Sequence, residues 1–175
     1  MTTPFKNYYI IGPLGAGKSS VGYQIARVLE LPFFDSDREI EKKSGVDIDW
    51  LFTIEGEEGY RSREQAVIEE LTTHQGVVIA TGGGAIETAT CRSRMANTGT
   101  VIYLKVHFDE QLSRVKRFPL RRPVLKTDTE QRLRKLNEKR ERLYESIADL
   151  TYDNYSKNPV ELAQKIVDDI KQMLA

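Results

Sequence analysis

Gly12-Pro-Leu-Gly-Ala-Gly-Lys-Ser19 matches the pattern G-x-x-x-x-G-K-[ST] in full, a spacing suited to holding a polyphosphate. Glycines at 12, 15 and 17 let the backbone turn and approach an anion that a Cβ would obstruct. The exposed N–H groups, and the positive end of a helix starting just after them, favour negative charge there. Lys18 adds a full charge for the β- and γ-phosphates, and Ser19 offers its hydroxyl to Mg²⁺. A ligand-free turn between a strand and a helix is the plain alternative, and the full match with its flanks counts against it. The motif indicates a nucleoside triphosphate without choosing among kinase, GTPase and ATPase. No guanine-reading N-K-x-D segment is present, and 175 residues suit a small-molecule kinase better than a motor or transporter ATPase.

Three further segments suit such a kinase. Phe34-Asp35-Ser36-Asp37 places two carboxylates at the end of an apolar run, where ligands of open α/β sheets gather. Alternation along an extended backbone would send Asp35 and Asp37 to one side. One could hold a metal's water shell while the other meets an acceptor hydroxyl. Ser36 and Asp37 also suit a helix N-cap, which is the competing reading. Ala80-Thr81-Gly82-Gly83-Gly84 is a turn whose backbone could close on a substrate. Arg117-Phe-Pro-Leu-Arg-Arg-Pro123 is either a solvated basic loop or a lid that brings arginines over phosphates.

These groups need elements to carry them. Tyr8–Ile11, Leu31–Phe34, Val77–Ala80, Thr100–Leu104 and Leu150–Tyr152 read as five short strands. Between them apolar residues recur at helical spacing, as in Val21, Ile25, Val28 and Leu29. Two short helical patches precede a longer helix over Glu57–Leu71. A final helix carries Val160, Ala163, Ile166, Val167, Ile170, Met173 and Leu174 on one face, with Pro159 near its start. Strands alternating with helices predict a parallel sheet covered on both faces. No repeat or linker divides the chain, so one domain over 1–175 is expected.

Composition sets limits on partners. Lysine plus arginine equals aspartate plus glutamate, 26 against 26, which argues against a dedicated nucleic-acid binder. The one cysteine, Cys91, permits no internal disulfide; it is a reactive thiol or, more plainly, filler on a helix. His74 and His107 lack the spacing of a metal pair. No stretch suits a membrane span or signal peptide, so a cytoplasmic location and no membrane partner are expected.

Taken together, Gly12–Ser19, Asp35-Ser-Asp37, Glu57-Glu-Gly-Tyr-Arg61, Ala80-Thr-Gly-Gly-Gly84, Arg122-Pro-Val-Leu125 and Arg140-Glu-Arg-Leu-Tyr144 resemble the shikimate kinase family, in order and spacing. The resemblance implies an α/β three-layer P-loop fold: a five-stranded parallel sheet of order 2-3-1-4-5, helices on both faces and a mobile lid at about 115–127. It implies a shikimate-binding segment at about 35–62, a monomer, and ATP-dependent phosphorylation of the 3-hydroxyl of shikimate with Mg²⁺, a step toward aromatic amino acids. Lys18, Asp37 and Arg122 would be catalytic, with Asp37 binding the acceptor hydroxyls and able to act as base. Ser19 and Asp35 would serve Mg²⁺. The nucleotide would touch Gly15, Ala16, Gly17, Lys18, Ser19, Ser20, Arg117, Arg122 and Lys157. Arg61 and Arg140 would grip the shikimate carboxylate beside Gly82, Gly83 and Gly84.

Paired guanidinium groups suit a planar carboxylate. Surface ion pairs with Glu64 and Glu141 are the duller reading of Arg61 and Arg140. Arg121 and Arg122 are adjacent, so the choice of lid arginine rests on the Arg-Pro pairing alone. Arg142 stands where the family commonly has proline. No apolar strand ends in aspartate just before the triple glycine, leaving Asp35 as the metal carboxylate and Asp153 as a weaker rival. Trp50, Leu51, Phe52 and Ile54 suit a pocket wall or a core cluster equally, and Glu130–Arg142 reads as a solvated helix face. A kinase for another hydroxy acid, such as gluconate, and a non-catalytic ATP-binding regulator remain competing functions.

Overall fold

The computed structural model describes residues 6–117, 128–155 and 158–174. Five strands, β1 (Asn7–Ile11), β2 (Phe33–Asp35), β3 (Val78–Ala80), β4 (Gly99–Lys105) and β5 (Leu150–Asp153), form one sheet of order β2-β3-β1-β4-β5. Every pairing is parallel, with Tyr8 opposite Val78 on one side and Thr100 on the other. Central β1 is buried throughout, which is why it reads as an unbroken apolar run. The pleat sends Tyr9 and Ile11 to one core and Tyr8 and Ile10 to the other.

The first core is covered by α2 (Ser36–Ser44), α3 (Ile48–Leu71), α4 (Ala89–Thr98) and α6 (Thr129–Ile147). The second is covered by α1 (Lys18–Leu29) and α7 (Pro159–Leu174). Each Ile, Leu or Val fully removed from water there is worth about 1.5–3 kcal/mol. The stripe expected on α7 is only partly used. Ala163, Ile166, Val167 and Ile170 are buried, while Val160, Met173 and Leu174 are exposed. Val160 sits at the start of the helix and Met173 and Leu174 close it, so the buried stretch occupies the middle of α7.

Three local features refine the expectations. The N-cap of α2 is Asp35, whose carboxylate accepts from the N–H groups of Asp37 and Arg38 at 3.0 and 3.3 Å. Strand alternation therefore does not orient Asp37, which sits in the first helical turn. The second short helical patch, starting at Ile48, runs into the longer helix as α3, broken at Gly56 (φ 70°, ψ −176°). Arg63 spans that break with two bonds to Glu55, at 2.6 and 2.7 Å. Trp50 and Ile54 are exposed, Leu51 is buried and Phe52 half-buried, so that cluster divides between surface and core.

Cys91 is buried in α4, where loss of water pushes its thiol up to about 12, as suits a packing residue. The basic segment expected as a lid follows α5 (Phe108–Arg117), and from 118 to 127 it lies outside the described residues. Arg121, Arg122 and Lys157 fall there too. Among the described residues no helix is long and apolar enough to cross a membrane.

Candidate active site

The strand order reverses direction beside β1, and the segments following β1, β2 and β3 meet at that edge. After β1 the chain turns at Gly12 (φ 149°), where a Cβ would strike the carbonyl of Leu104. Gly17 (φ 84°) forms the N-cap of α1, and a Cβ there would lie 2.6 Å from Asn154 Nδ2. No side chain caps α1 and no acid stands in its first turn. Its leading N–H groups, with those of the loop, therefore make an anion site.

The loop is braced from outside by residues that the sequence pattern did not single out. Gln111 Nε2 donates to Leu14 O at 2.9 Å, Arg114 to Gly15 O at 3.0 Å and Asn154 Nδ2 to Ala16 O at 2.7 Å. Signals existed: Gln111 breaks an apolar face beside Leu112 and Val115, and Asn154 directly follows a strand. Arg114 touches the loop, while Arg117, less than one turn later, ends α5 exposed.

Lys18 is nearly buried, and its ammonium group donates to Pro13 O at 2.8 Å. Ser19 Oγ donates to Asp35 Oδ2, so hydroxyl and carboxylate share one spot. With Lys18, Ser20, Asp37, Gly82 and Gly83 they border a cleft of about 230 Å³. Adjacent hard oxygens suit Mg²⁺, which takes one or two protein oxygens and completes its shell with water and phosphate. Among the described residues no group of three His, Cys, Asp or Glu side chains could hold a metal alone. Asp153, the rival carboxylate, faces His107 at 3.1 Å and does not border this cleft.

Across the cleft, Asp37 Oδ1 accepts the hydroxyl of Tyr60 at 2.7 Å. Tyr60 is fully buried, stacks on Phe52 at 4.5 Å, and also lies 3.3 Å from Glu64 Oε2. Gly82 N–H donates to Ser36 Oγ at 2.9 Å, tying the triple glycine to α2. Here glycine is needed for room. A Cβ on Gly82 would come 2.7 Å from Asp37 Oδ1, and one on Gly84 would overlap the Arg61 guanidinium. One on Gly83 would lie 3.5 Å from an Arg140 terminal nitrogen.

Arg61 and Arg140 thus reach the same glycine segment from α3 and α6. Arg61 bonds to buried Glu64 at 2.7 Å, and Arg140 Nε donates to Glu87 at 3.3 Å rather than to Glu141. Burial works against charge on Arg61, but Glu64, Tyr60 and Glu87 outweigh it and hold the group above its ordinary value. Its Nε is buried and finds no hydrogen-bond partner among the described residues. Tyr144 anchors the segment from below, its hydroxyl donating to Gly83 O at 2.5 Å. Two guanidinium groups beside the glycine backbone could hold a carboxylate, next to Asp37, which adjoins Gly82.

Comparison with known proteins adds to this geometry. The family model described as shikimate kinase matches residues 14–171. A protein named shikimate kinase from Pseudoalteromonas atlantica is 46% identical over 168 residues, covering 95% of this chain and 98% of the other. A solved shikimate kinase from Acinetobacter baumannii in complex with shikimate superposes with a TM-score of 0.93 at 43% identity, covering 96% of this chain and 94% of that one. A gluconokinase from Sinorhizobium meliloti reaches a TM-score of 0.56 at 16% identity over 96% of this chain and 93% of its own, a likeness of fold alone.

Proposed function

The chain belongs to the shikimate kinase family and is an ATP-dependent phosphotransferase acting on shikimate; we propose how its own residues move the γ-phosphoryl group to the 3-hydroxyl, giving shikimate 3-phosphate and ADP in the route to aromatic amino acids. One observation carries the reading. The phosphate loop, Asp37 and the glycine segment share one cleft, and two arginines converge on that glycine segment.

The acceptor's carboxylate rests between Arg61 and Arg140, over Gly82, Gly83 and Gly84. Its 3-hydroxyl then meets the Asp37 carboxylate, one oxygen of which accepts from the Tyr60 hydroxyl. As the hydroxyl oxygen bonds to the γ-phosphorus, its proton passes to Asp37 and the bond to the β–γ bridging oxygen breaks. Lys18 exchanges the Pro13 carbonyl for phosphate oxygens, and the N–H groups of Gly15, Ala16, Gly17, Ser19 and Ser20 receive the rest of the chain of phosphates. Ser19 and Asp35 would hold Mg²⁺, which supplies charge neutralisation at the β- and γ-phosphates. Arg122 is assigned to the γ-phosphate and Arg117 and Lys157 to the nucleotide, on the family pattern.

Positioning and charge supply most of such a transfer, because the phosphoryl group needs little covalent help. We further place the chain in the cytoplasm, where ATP is available, as one monomeric unit over 1–175. On the family pattern we assign acceptor binding to about 35–62 and a lid to about 115–127. The deciding measurement is ADP formation with shikimate, with gluconate and without acceptor. Release that depends on shikimate alone supports the reading. Gluconate-driven release would move the chain to another acceptor, and ATP binding with no acceptor-dependent release would make it a regulator.

A further inference from the structure

Glu87 has no part in that transfer, yet its carboxylate touches both arginines of the acid pocket. It closes the 3₁₀ turn Ala85–Glu87 that follows the triple glycine. It lies 3.3 Å from Arg140 Nε and 3.7 Å from a terminal nitrogen of Arg61. Lys139, itself largely exposed, reaches the same carboxylate at 2.9 Å. Glu64 differs, its salt bridge running to Arg61. Resting on the reading above, we propose that Glu87 is a resident counter-carboxylate of the acid clamp, a specificity-determining residue that weakens the substrate's hold by sharing Arg61 and Arg140 with it.

The two arginines carry donors enough for both carboxylates. Glu87 takes the Nε edge of Arg140, while a terminal nitrogen of the same guanidinium lies beside Gly83. Arg61 keeps a buried Nε with no hydrogen-bond partner among the described residues. A substrate carboxylate therefore enters next to a like charge rather than displacing it. The repulsion is felt because the side chains of Arg61, Arg140 and Glu87 are themselves largely withdrawn from water. Lys139 draws Glu87 outward and relieves part of it. A ligand with a second negative charge at this end meets the repulsion twice, so Glu87 selects monocarboxylates over dicarboxylates.

Steady-state kinetics of the whole enzyme test this. Glu87→Gln keeps an oxygen acceptor for Arg140 and removes the charge. The KM for shikimate should fall about three- to tenfold, with kcat changed by less than about twofold. Lys139→Met should raise the KM, and by less when combined with Glu87→Gln. A cyclohexene dicarboxylate, used as a competitive inhibitor, should gain more from Glu87→Gln than the matching monocarboxylate. An unchanged or raised KM in Glu87→Gln overturns the proposal, making Glu87 a mere prop. Arg140→Ala separates the two levels. If it leaves the KM unchanged, the carboxylate clamp itself fails and this inference falls with it. If it raises the KM while Glu87→Gln does not lower it, only the inference is lost.

Discussion

Replacing Gly82 by alanine adds one methyl group at the centre of the reaction. Neither Gly82 nor Gly84 has a positive φ, so alanine fits the backbone, and Gly→Ala commonly stabilises by about 0.4–1 kcal/mol through the unfolded chain. The new Cβ would stand 2.7 Å from Asp37 Oδ1 and 2.8 Å from Glu64 Oε2, against at least 3.4 Å for ordinary contact. Asp37 must retreat by about 0.7 Å, disturbing an oxygen that the Tyr60 hydroxyl already bonds at 2.7 Å. A misplacement near 1 Å at a reacting group costs about 10²-fold, so kcat should fall by roughly that factor. Gly84→Ala instead pushes on Arg61 and spares Asp37. Loss of a charged hydrogen bond, about 1.5–3 kcal/mol, should raise the shikimate KM by about 10- to 100-fold. A coupled ADP assay beside thermal melts separates the two, and both variants should melt within about 4 °C of the parent. An unaltered kcat in a well-folded Gly82→Ala would refute the placement of Asp37 at the chemistry.

Asp37→Asn should lower turnover by at least about 10²-fold while ATP still binds in calorimetry, whereas Lys18→Ala should impair both; strong turnover by the asparagine variant would remove the proposed base. Burial favours the neutral form of Glu87, but Lys139, Arg140 and Arg61 outweigh it and hold the carboxyl below its ordinary value of 4.5. A depressed carboxyl stabilises the fold above that value and loses the contribution as pH falls through its own lower pKa. Glu87→Gln should therefore flatten the drop in melting temperature below about pH 4.5, and parallel curves for the two proteins would contradict this ordering of effects. Cys91, with its thiol raised to about 12, should resist thiol reagents at pH 8 until the chain is unfolded; rapid labelling of native protein would show that the α4 interior opens.

The sequence by itself determined the phosphate loop and the strand pattern, because both depend on local chemistry. A glycine with positive φ, a lysine at the start of a helix and an apolar run in a buried strand are legible from neighbours a few residues away. The start of the longer helix at Glu57 was legible too, and the structure breaks α3 just before it, at Gly56. The resemblance in motif order carried the sheet order, which local pattern does not fix.

Tertiary structure decided which charges meet. Asp37 was expected on one side of a strand with Asp35, yet it faces the cleft from a helical turn that Asp35 caps. Arg140 was set beside Glu141 by sequence, but a helix presents neighbouring residues on different faces, and Arg140 meets Glu87 instead, 53 positions away. Gln111, Arg114 and Asn154 brace a loop about 97 to 138 residues distant in the chain. Such partners are set by the packing of α3, α5 and α6 against the strand ends. Charge and hydrogen bonding act over a few ångströms of space, and only the folded chain converts sequence separation into that distance.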